Sequence, residues 1–141
     1  MKYDSNQLLK ILPHRHPFLL IDKILESEPG KSAVGLKTIS ISDPVFQGHF
    51  PEFHVYPGVL QLEAMAQVGA VALLEQPENA GKIAFFAGVK DAKFKKNVKP
   101  GDTLIIKTEL TKVRMGIGIA KAEIVVDDSI ASTATLMFAI N

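Results

Sequence analysis

The 141-residue chain contains no cysteine. It can therefore form no disulfide, bind no metal through a thiolate and use no thiolate nucleophile. A chain without disulfides is typical of the cytosol, where we expect this protein. The longest apolar run, residues 68–74, is too short to span a bilayer. The first residues also lack the long apolar core of a signal peptide, so we expect no membrane association.

An excess of charge of one sign is also missing. The chain has 16 basic and 15 acidic residues and a net charge of +1. This balance does not indicate a polyanionic partner, and we expect no nucleic-acid binding. The contents of 47% hydrophobic and 22% charged residues are typical of a globular protein. The length suits one domain over residues 1–141.

One long apolar segment predicts a buried helix from Pro57 to Glu75. Pro57 suits the first helical position, where a backbone N–H would have no partner, and only Gly69 interrupts the helix-forming residues. Apolar side chains lie all around the helical wheel, which is typical of a helix buried on every side. Glu63 and Gln67 are one turn apart and share a face. The sequence thus predicts a carboxyl group inside the core.

That carboxyl group has two interpretations. A buried, unpaired carboxyl group keeps its proton to a higher pH than usual and can serve as a proton donor. His49, in the loop before the helix, has a side chain suited to general-base work near neutral pH. Alternatively, Glu63 is a structural hydrogen-bond or ion-pair partner, and His49 is a loop residue satisfied by the backbone.

The remaining patterns predict an α+β fold in which an antiparallel sheet curves around this helix. A short helix with Ser5 as its cap is expected through Ile11. We interpret His14 and His16 in the following bend as packing or solvent-facing residues rather than metal ligands. Gly88 is expected to mark a β-bulge or a point of close approach. Strands are predicted at residues 18–26, 32–39 and 82–94 and, from period-two alternation, in three segments within 104–110, 120–126 and 130–140.

Five motifs occur in a characteristic order: LPHRHPFLLID at 12–22, GHFP at 48–51, PGVLQLEAMAQ at 57–67, FAGV at 86–89 and VKPGD at 98–102. With these motifs, nearly the whole chain resembles the hot-dog-fold 3-hydroxyacyl-acyl-carrier-protein dehydratases of bacterial type II fatty-acid synthesis. The similarity is greatest to the Z-type enzymes.

The resemblance implies dehydration of (3R)-hydroxyacyl thioesters to trans-2-enoyl thioesters, with no metal and no organic cofactor. It matches His49 to the family's catalytic histidine and Glu63 to its catalytic carboxylate. Glutamate at this position favours the Z-type over the A-type dehydratase/isomerase, which carries aspartate.

The resemblance also implies a homodimer whose active sites combine the histidine of one subunit with the carboxylate of the other. Such dimers commonly assemble into hexamers.

Two further residues of the helix are candidates for substrate binding. The N-terminus of a helix offers free N–H groups and a positive dipole end. We therefore expect the N–H of Gly58 to bind the thioester oxygen in the manner of an oxyanion hole. Gln67 either orients the carboxyl group of Glu63 or is a buried amide satisfied by the backbone.

The segment Lys90 to Lys99 holds five lysines against one aspartate. It is either a solvated sheet edge that deters pairing or a docking surface for the acidic acyl carrier protein, which the resemblance favours. The pantetheine arm would then enter an apolar tunnel. The aromatic candidates for its lining are Phe46, Phe53, Tyr56 and Phe86.

The chain departs from the family at Glu52-Phe53-His54, where a Gly-x-Pro sequence is usual. Without that glycine and proline, the loop that carries His49 has a different set of allowed conformations. The alternatives left open are a dehydratase that also isomerises trans-2 to cis-3 enoyl chains, a hot-dog thioesterase, and a non-catalytic module that binds acyl chains or their carrier.

Overall fold

The computed structural model describes residues 1–141 and contains two α-helices and one six-stranded sheet. The helices are α1 (Ser5–Leu8) and α2 (Gly58–Leu74), and the strands are β1 (Lys23–Glu28), β2 (Ser32–Thr38), β3 (Ala84–Phe94), β4 (Thr103–Arg114), β5 (Ile117–Val126) and β6 (Ser129–Ile140). The strand order is β1-β2-β4-β5-β6-β3, and all neighbours are antiparallel. Because α2 packs against every strand, the predicted arrangement of one long helix on an antiparallel sheet is confirmed.

Close contact between α2 and the sheet depends on small residues of the helix. A Cβ atom at Gly69 would lie 2.8 Å from Cγ2 of Thr108 and 2.9 Å from Cζ of Phe138. Thr108 also donates its hydroxyl hydrogen to the carbonyl oxygen of Met65, at 2.8 Å. Each large apolar side chain buried in this layer contributes about 1.5–3 kcal/mol to the free energy of unfolding. Neither helix is long and apolar enough to cross a membrane.

The helix ends differ from the sequence prediction. Pro57 precedes α2 as its N-cap residue instead of occupying the first helical position. Asp4, not Ser5, caps α1 through a capping box, and this helix ends at Leu8 rather than Ile11. The carboxylate of Asp4 can accept a hydrogen bond from the first turn, which explains the earlier start.

The strand predicted at residues 18–26 begins later, at the start of β1. The reason lies in Gln67 of α2. Its side-chain amide donates to the carbonyl oxygen of Phe18 at 2.8 Å and accepts from the N–H of Leu20 at 2.8 Å. A helix side chain thus provides the hydrogen bonds that a neighbouring strand would otherwise supply, and this backbone is irregular.

Strand β3 forms one edge of the sheet. Its pairing with β6 shifts register between Phe86 and Gly88, which confirms the predicted bulge. Three apolar side chains of β3 are about half exposed: Phe85 at 50%, Val89 at 47% and Phe94 at 50%. An edge strand of 11 residues with exposed apolar side chains is a template for pairing with another strand.

The N-terminal residues are tied to the end of α2 through Glu75. Its Oε2 accepts hydrogen bonds from the hydroxyl groups of Tyr3 and Ser27 and lies 3.0 Å from Nζ of Lys2. The other oxygen, Oε1, is buried without a partner. Burial raises the pKa of Tyr3 to about 12, helped by the hydrogen bond to Glu75 and by its charge. This cluster joins the chain's first residues to β1 and α2.

Candidate active site

Glu63 lies on the wall of a pocket of about 360 Å³. Its side chain is 17% exposed, so the carboxyl group predicted to be buried is partly open to this pocket. The amide Nε2 of Gln67 donates to Oε2 of Glu63 at 2.9 Å. No protein group donates to the other oxygen, Oε1, and the remaining walls are mostly apolar. The arrangement holds one carboxyl oxygen and leaves the other available to a ligand.

Gln67 makes the hydrogen bonds that each of the two interpretations requires. It is 1% exposed, and its amide bonds to the backbone of Phe18 and Leu20. It also bonds to Glu63, one turn earlier on α2. The same amide therefore anchors the segment before β1 and sets the position of the carboxyl group.

His14 is a site residue that the sequence analysis missed. Its Nε2 lies 3.6 Å from Oε2 of Glu63, and its Nδ1 is buried without a partner. Burial lowers the pKa of His14, and Arg15 acts in the same direction, while the charge of Glu63 opposes them. No pattern in the sequence could have revealed this contact, because it joins two segments 49 positions apart that are linked only by the fold.

His49 lies half-buried in the loop that follows a short 3₁₀ turn, Pro44–Gln47, which Asp43 caps. Its Nδ1 is 2.7 Å from the carbonyl oxygen of Val55. Because a carbonyl can only accept, Nδ1 carries the hydrogen and Nε2 is left as a proton acceptor. The imidazole stacks on Phe50 with ring centroids 4.0 Å apart, and the peptide bond between the two residues is cis.

One chain does not bring His49 and Glu63 into the same pocket. The pocket beside Glu63 is lined by the loop between α1 and β1, by α2, by β3 with the residue before it, and by β6. His49 is not among these residues. Within this pocket the histidine beside Glu63 is His14.

Gly58 opens α2, and no side chain caps this helix end. The N–H groups of Leu60 and Gln61 both donate to the carbonyl oxygen of Pro57 at 3.1 Å. The N–H of Gly58 precedes these groups and has no partner within the helix. A Cβ atom at Gly58 would lie only 2.8 Å from the ring of Phe94, so a strand side chain fills the space beside the glycine.

The aromatic tunnel candidates lie in different places. Phe86 lines the Glu63 pocket. Phe46 and Tyr56 are buried in the core, whereas Phe53 is 66% exposed. His54, in the loop that departs from the family pattern, packs edge-on against Phe46 at 5.7 Å between ring centroids.

The lysine-rich segment runs along the second half of β3 and into the following loop. Lys96 is partly buried and donates to the carbonyl oxygen of Val126 at 3.1 Å. The other four lysines of the segment are exposed: Lys90, Lys93, Lys95 and Lys99. The basic surface therefore borders the same sheet edge that carries the exposed apolar side chains.

A family model described as a FabA-like domain matches residues 12–135. The chain belongs to the FabA-like family. It is 55% identical over 138 residues to the 3-hydroxyacyl-[acyl-carrier-protein] dehydratase FabZ of Staphylococcus epidermidis, covering 98% of this chain and 95% of the relative. It is 56% identical over 137 residues to the protein of the same name from Pelotomaculum thermopropionicum, covering 97% and 98%. The family resemblance predicted from the motifs is thus confirmed.

Solved structures also match this FabA-like chain. The dehydratase heterocomplex ApeI:P from Xenorhabdus doucetiae matches with a TM-score of 0.81 and 20% identity, covering 95% of this chain and 90% of that one. The PaaI protein of the E. coli phenylacetic acid degradation operon matches with a TM-score of 0.65 and 17% identity, covering 82% and 80%. At these identities the likeness concerns the fold, and it confirms the predicted hot-dog architecture.

Proposed function

We propose that this chain dehydrates 3-hydroxyacyl groups carried on acyl carrier protein, with Glu63 as general acid and His49 as general base. The identity to FabZ dehydratases over nearly the whole chain supports the reaction. One observation carries the assignment of the acid. Glu63 presents a carboxyl group to an apolar pocket, with Oε2 bonded to Gln67 and Oε1 unbonded.

In the proposed reaction, Nε2 of His49 removes a proton from C2 of the thioester. Glu63 gives its proton to the C3 hydroxyl group, which leaves as water while the C2–C3 double bond forms. The N–H of Gly58 donates to the thioester oxygen, on which negative charge develops. A proton then returns from His49 to Glu63 to restore the starting state. General acid or base catalysis by each group typically contributes about 10²–10⁴-fold.

We also propose that each active site combines His49 of one copy with Glu63 of another. Two observations support this arrangement. The pocket beside Glu63 does not include His49, and β3 offers a second copy an unpaired edge with exposed apolar side chains. Pairing of two β3 edges would join the sheets of a homodimer. Three such dimers would make the hexamer that the resemblance implies, and light scattering would give two or six times the 15.3 kDa chain mass.

The partner in this proposal is the acyl carrier protein, an acidic protein that carries the acyl chain on a phosphopantetheine arm. Four exposed lysines border the sheet edge between residues 90 and 99. A cluster of one sign raises the rate of encounter with an oppositely charged protein. The Glu63 pocket would then receive the acyl chain.

The proposal is tested by mixing two inactive variants, His49→Ala and Glu63→Gln. Each alone should lose about 10²-fold or more in kcat while remaining folded. Co-refolded at equal amounts, they should recover about a quarter of wild-type activity, because half the dimers are mixed and each mixed dimer has one intact site. A mixture as inactive as its components would contradict the shared site.

Product analysis of the wild-type enzyme tests the reaction itself. A (3R)-hydroxyacyl substrate on acyl carrier protein should yield the trans-2-enoyl product. A cis-3 product would indicate an additional isomerase activity, and free fatty acid would indicate a thioesterase. Binding of the carrier without turnover would indicate a non-catalytic module.

A further inference from the structure

The loop between α1 and β1 places His14 beside Glu63, with 3.6 Å between Nε2 and Oε2. Arg15 closes this loop on itself: Nη1 donates to the carbonyl oxygens of Leu12 at 2.8 Å and His14 at 2.7 Å, and Nη2 donates to that of Leu9 at 2.9 Å. The carbonyl group of His14 is thus fixed by the next residue's guanidinium. The imidazole is therefore presented from a braced backbone.

Oε2 of Glu63 faces two nitrogen atoms from different segments. Nε2 of Gln67, on the same helix, lies at 2.9 Å, and Nε2 of His14, from the loop, lies at 3.6 Å. A carboxyl group held by one hydrogen bond can still turn about its last side-chain torsion, which has a broad energy minimum. A second contact from another segment restricts that rotation.

We propose that His14 is a positioning residue for the dehydration: with Gln67 it holds Oε2 of Glu63, so that the acidic proton resides on Oε1. This inference rests on the proposed role of Glu63. Oε2 accepts a hydrogen bond from Gln67 at 2.9 Å and faces Nε2 of His14 at 3.6 Å, so a protonated Glu63 carries its proton on the other oxygen. That proton is the one to be given to the leaving hydroxyl group.

The hydrogen of the uncharged imidazole is best placed on Nε2. This tautomer points a donor at Oε2 and leaves Nδ1, buried without a partner, as an unpaired acceptor. The other tautomer would bury an unpaired N–H donor, which protein interiors tolerate less well. Because burial lowers the pKa of His14, the uncharged form prevails at neutral pH.

The charged groups that face His14 are few. They are Glu63 from α2 and Arg15 from the same loop. The residues that α2, β3 and β6 add to this pocket include no other ionisable side chain.

The test measures kcat and KM from about pH 5.5 to 9 for the wild type, His14→Ala and His14→Gln. We expect His14→Ala to lower kcat about tenfold with KM within about twofold of the wild type. The amide of His14→Gln keeps an N–H donor but does not titrate. This variant should regain most of kcat near neutral pH.

A double variant separates positioning from a general structural role. His14→Ala added to Glu63→Gln should cause no further loss of kcat, because His14 acts through Glu63. The inference is overturned if His14→Ala keeps wild-type kcat, if its loss lies in KM alone, or if the double variant is clearly slower than Glu63→Gln. If His14→Ala does not fold, a folded His14→Gln variant that fails to keep most of the wild-type kcat also overturns it.

These outcomes are distinct from failure of the proposed function. If Glu63→Gln retains wild-type turnover, then Glu63 is not the acid and both proposals fail. If Glu63→Gln is inactive while the His14 variants behave like the wild type, the proposed function stands and only the role of His14 is lost.

Discussion

Gln67 and Glu63 lie one helical turn apart on α2, and the amide of Gln67 donates to the carboxyl group of Glu63 at 2.9 Å. The same amide bonds to the backbone before β1. A single side chain thus connects the position of the proposed acid to the packing of the segment that carries His14 toward it. Changes at Gln67 should affect both activity and stability.

For Gln67→Leu we expect kcat to fall about tenfold, because Oε2 of Glu63 loses its closest donor. The free energy of unfolding should fall by about 1–3 kcal/mol, since the backbone groups of Phe18 and Leu20 lose their partner. Gln61→Leu is a matched control. Gln61 is also a buried amide of α2, but it bonds to Tyr56 and Ser132 instead of Glu63. It should lose stability to a similar extent and keep kcat.

Gly58→Ala should lower the free energy of unfolding by about 1–3 kcal/mol, because its Cβ would overlap the ring of Phe94. Urea unfolding measures the change. Adding Phe94→Ala to this variant should remove the overlap and make the effect of the methyl group much smaller. Gly48→Ala serves as the control, since a Cβ there meets nothing within 4 Å. An equal loss at both glycines would contradict the contact.

The hydrogen bond from Tyr3 to Glu75 predicts a loss of stability in alkali. The pKa of Tyr3 is raised from 10.0 to about 12 in the folded protein. The folded state therefore holds the phenol proton more tightly than the unfolded chain. Its contribution is complete below pH 10 and is lost as the pH rises toward about 12. Urea midpoints measured from about pH 8 to 11 should fall less steeply for Tyr3→Phe than for the wild type.

The chain's other tyrosine predicts the opposite effect of the same substitution. The hydroxyl group of Tyr56 is buried without a hydrogen-bond partner. Removing an unsatisfied buried hydroxyl group avoids its desolvation cost, so Tyr56→Phe should raise the free energy of unfolding by about 1 kcal/mol at neutral pH. Tyr3→Phe, which removes a bonded hydroxyl group, should lower it. Thermal melts of the two variants side by side would reveal a wrong sign at either position.

Charge reversal tests the proposed carrier-docking surface. Lys95→Glu with Lys99→Glu should raise KM for acyl carrier protein substrates about tenfold and leave kcat nearly unchanged, because encounter is weakened and chemistry is not. Added salt should reduce the difference. Lys10→Glu with Lys112→Glu makes the same change of charge at exposed lysines outside the segment. Equal effects of the two pairs would show that net charge alone matters.

The helix and its polar face were predictable because they depend on local spacing. Residues 57–75 have a continuous helical pattern, and the interval of four from Glu63 to Gln67 places both on one face. The observed helix and hydrogen bond agree with that spacing. The bulge at Gly88 was likewise visible as a glycine within a strand pattern.

The features that the sequence did not reveal depend on contacts between residues that are far apart in the chain. The apolar residues from Phe18 match a strand pattern, but their backbone bonds to Gln67, and no local signal indicates this. The contact of His14 with Glu63 has the same origin. The contact between Phe94 and Gly58 is also tertiary. It shows that the glycine leaves room for an aromatic ring, which helix propensity cannot indicate.

The position of β3 in the sheet has a consequence for how the protein matures. Its only partner strand is β6, although β4 and β5 lie between them in the chain. During synthesis, β3 stays unpaired until residues up to 140 have left the ribosome. Strands that are far apart in the chain can pair only after the segment between them has closed into a loop. Neither the pocket wall nor the edge offered to a second copy exists before then. We therefore expect assembly to be confined to chains that have already closed their sheet, and we expect nascent chains with an unpaired β3 to be prone to aggregation.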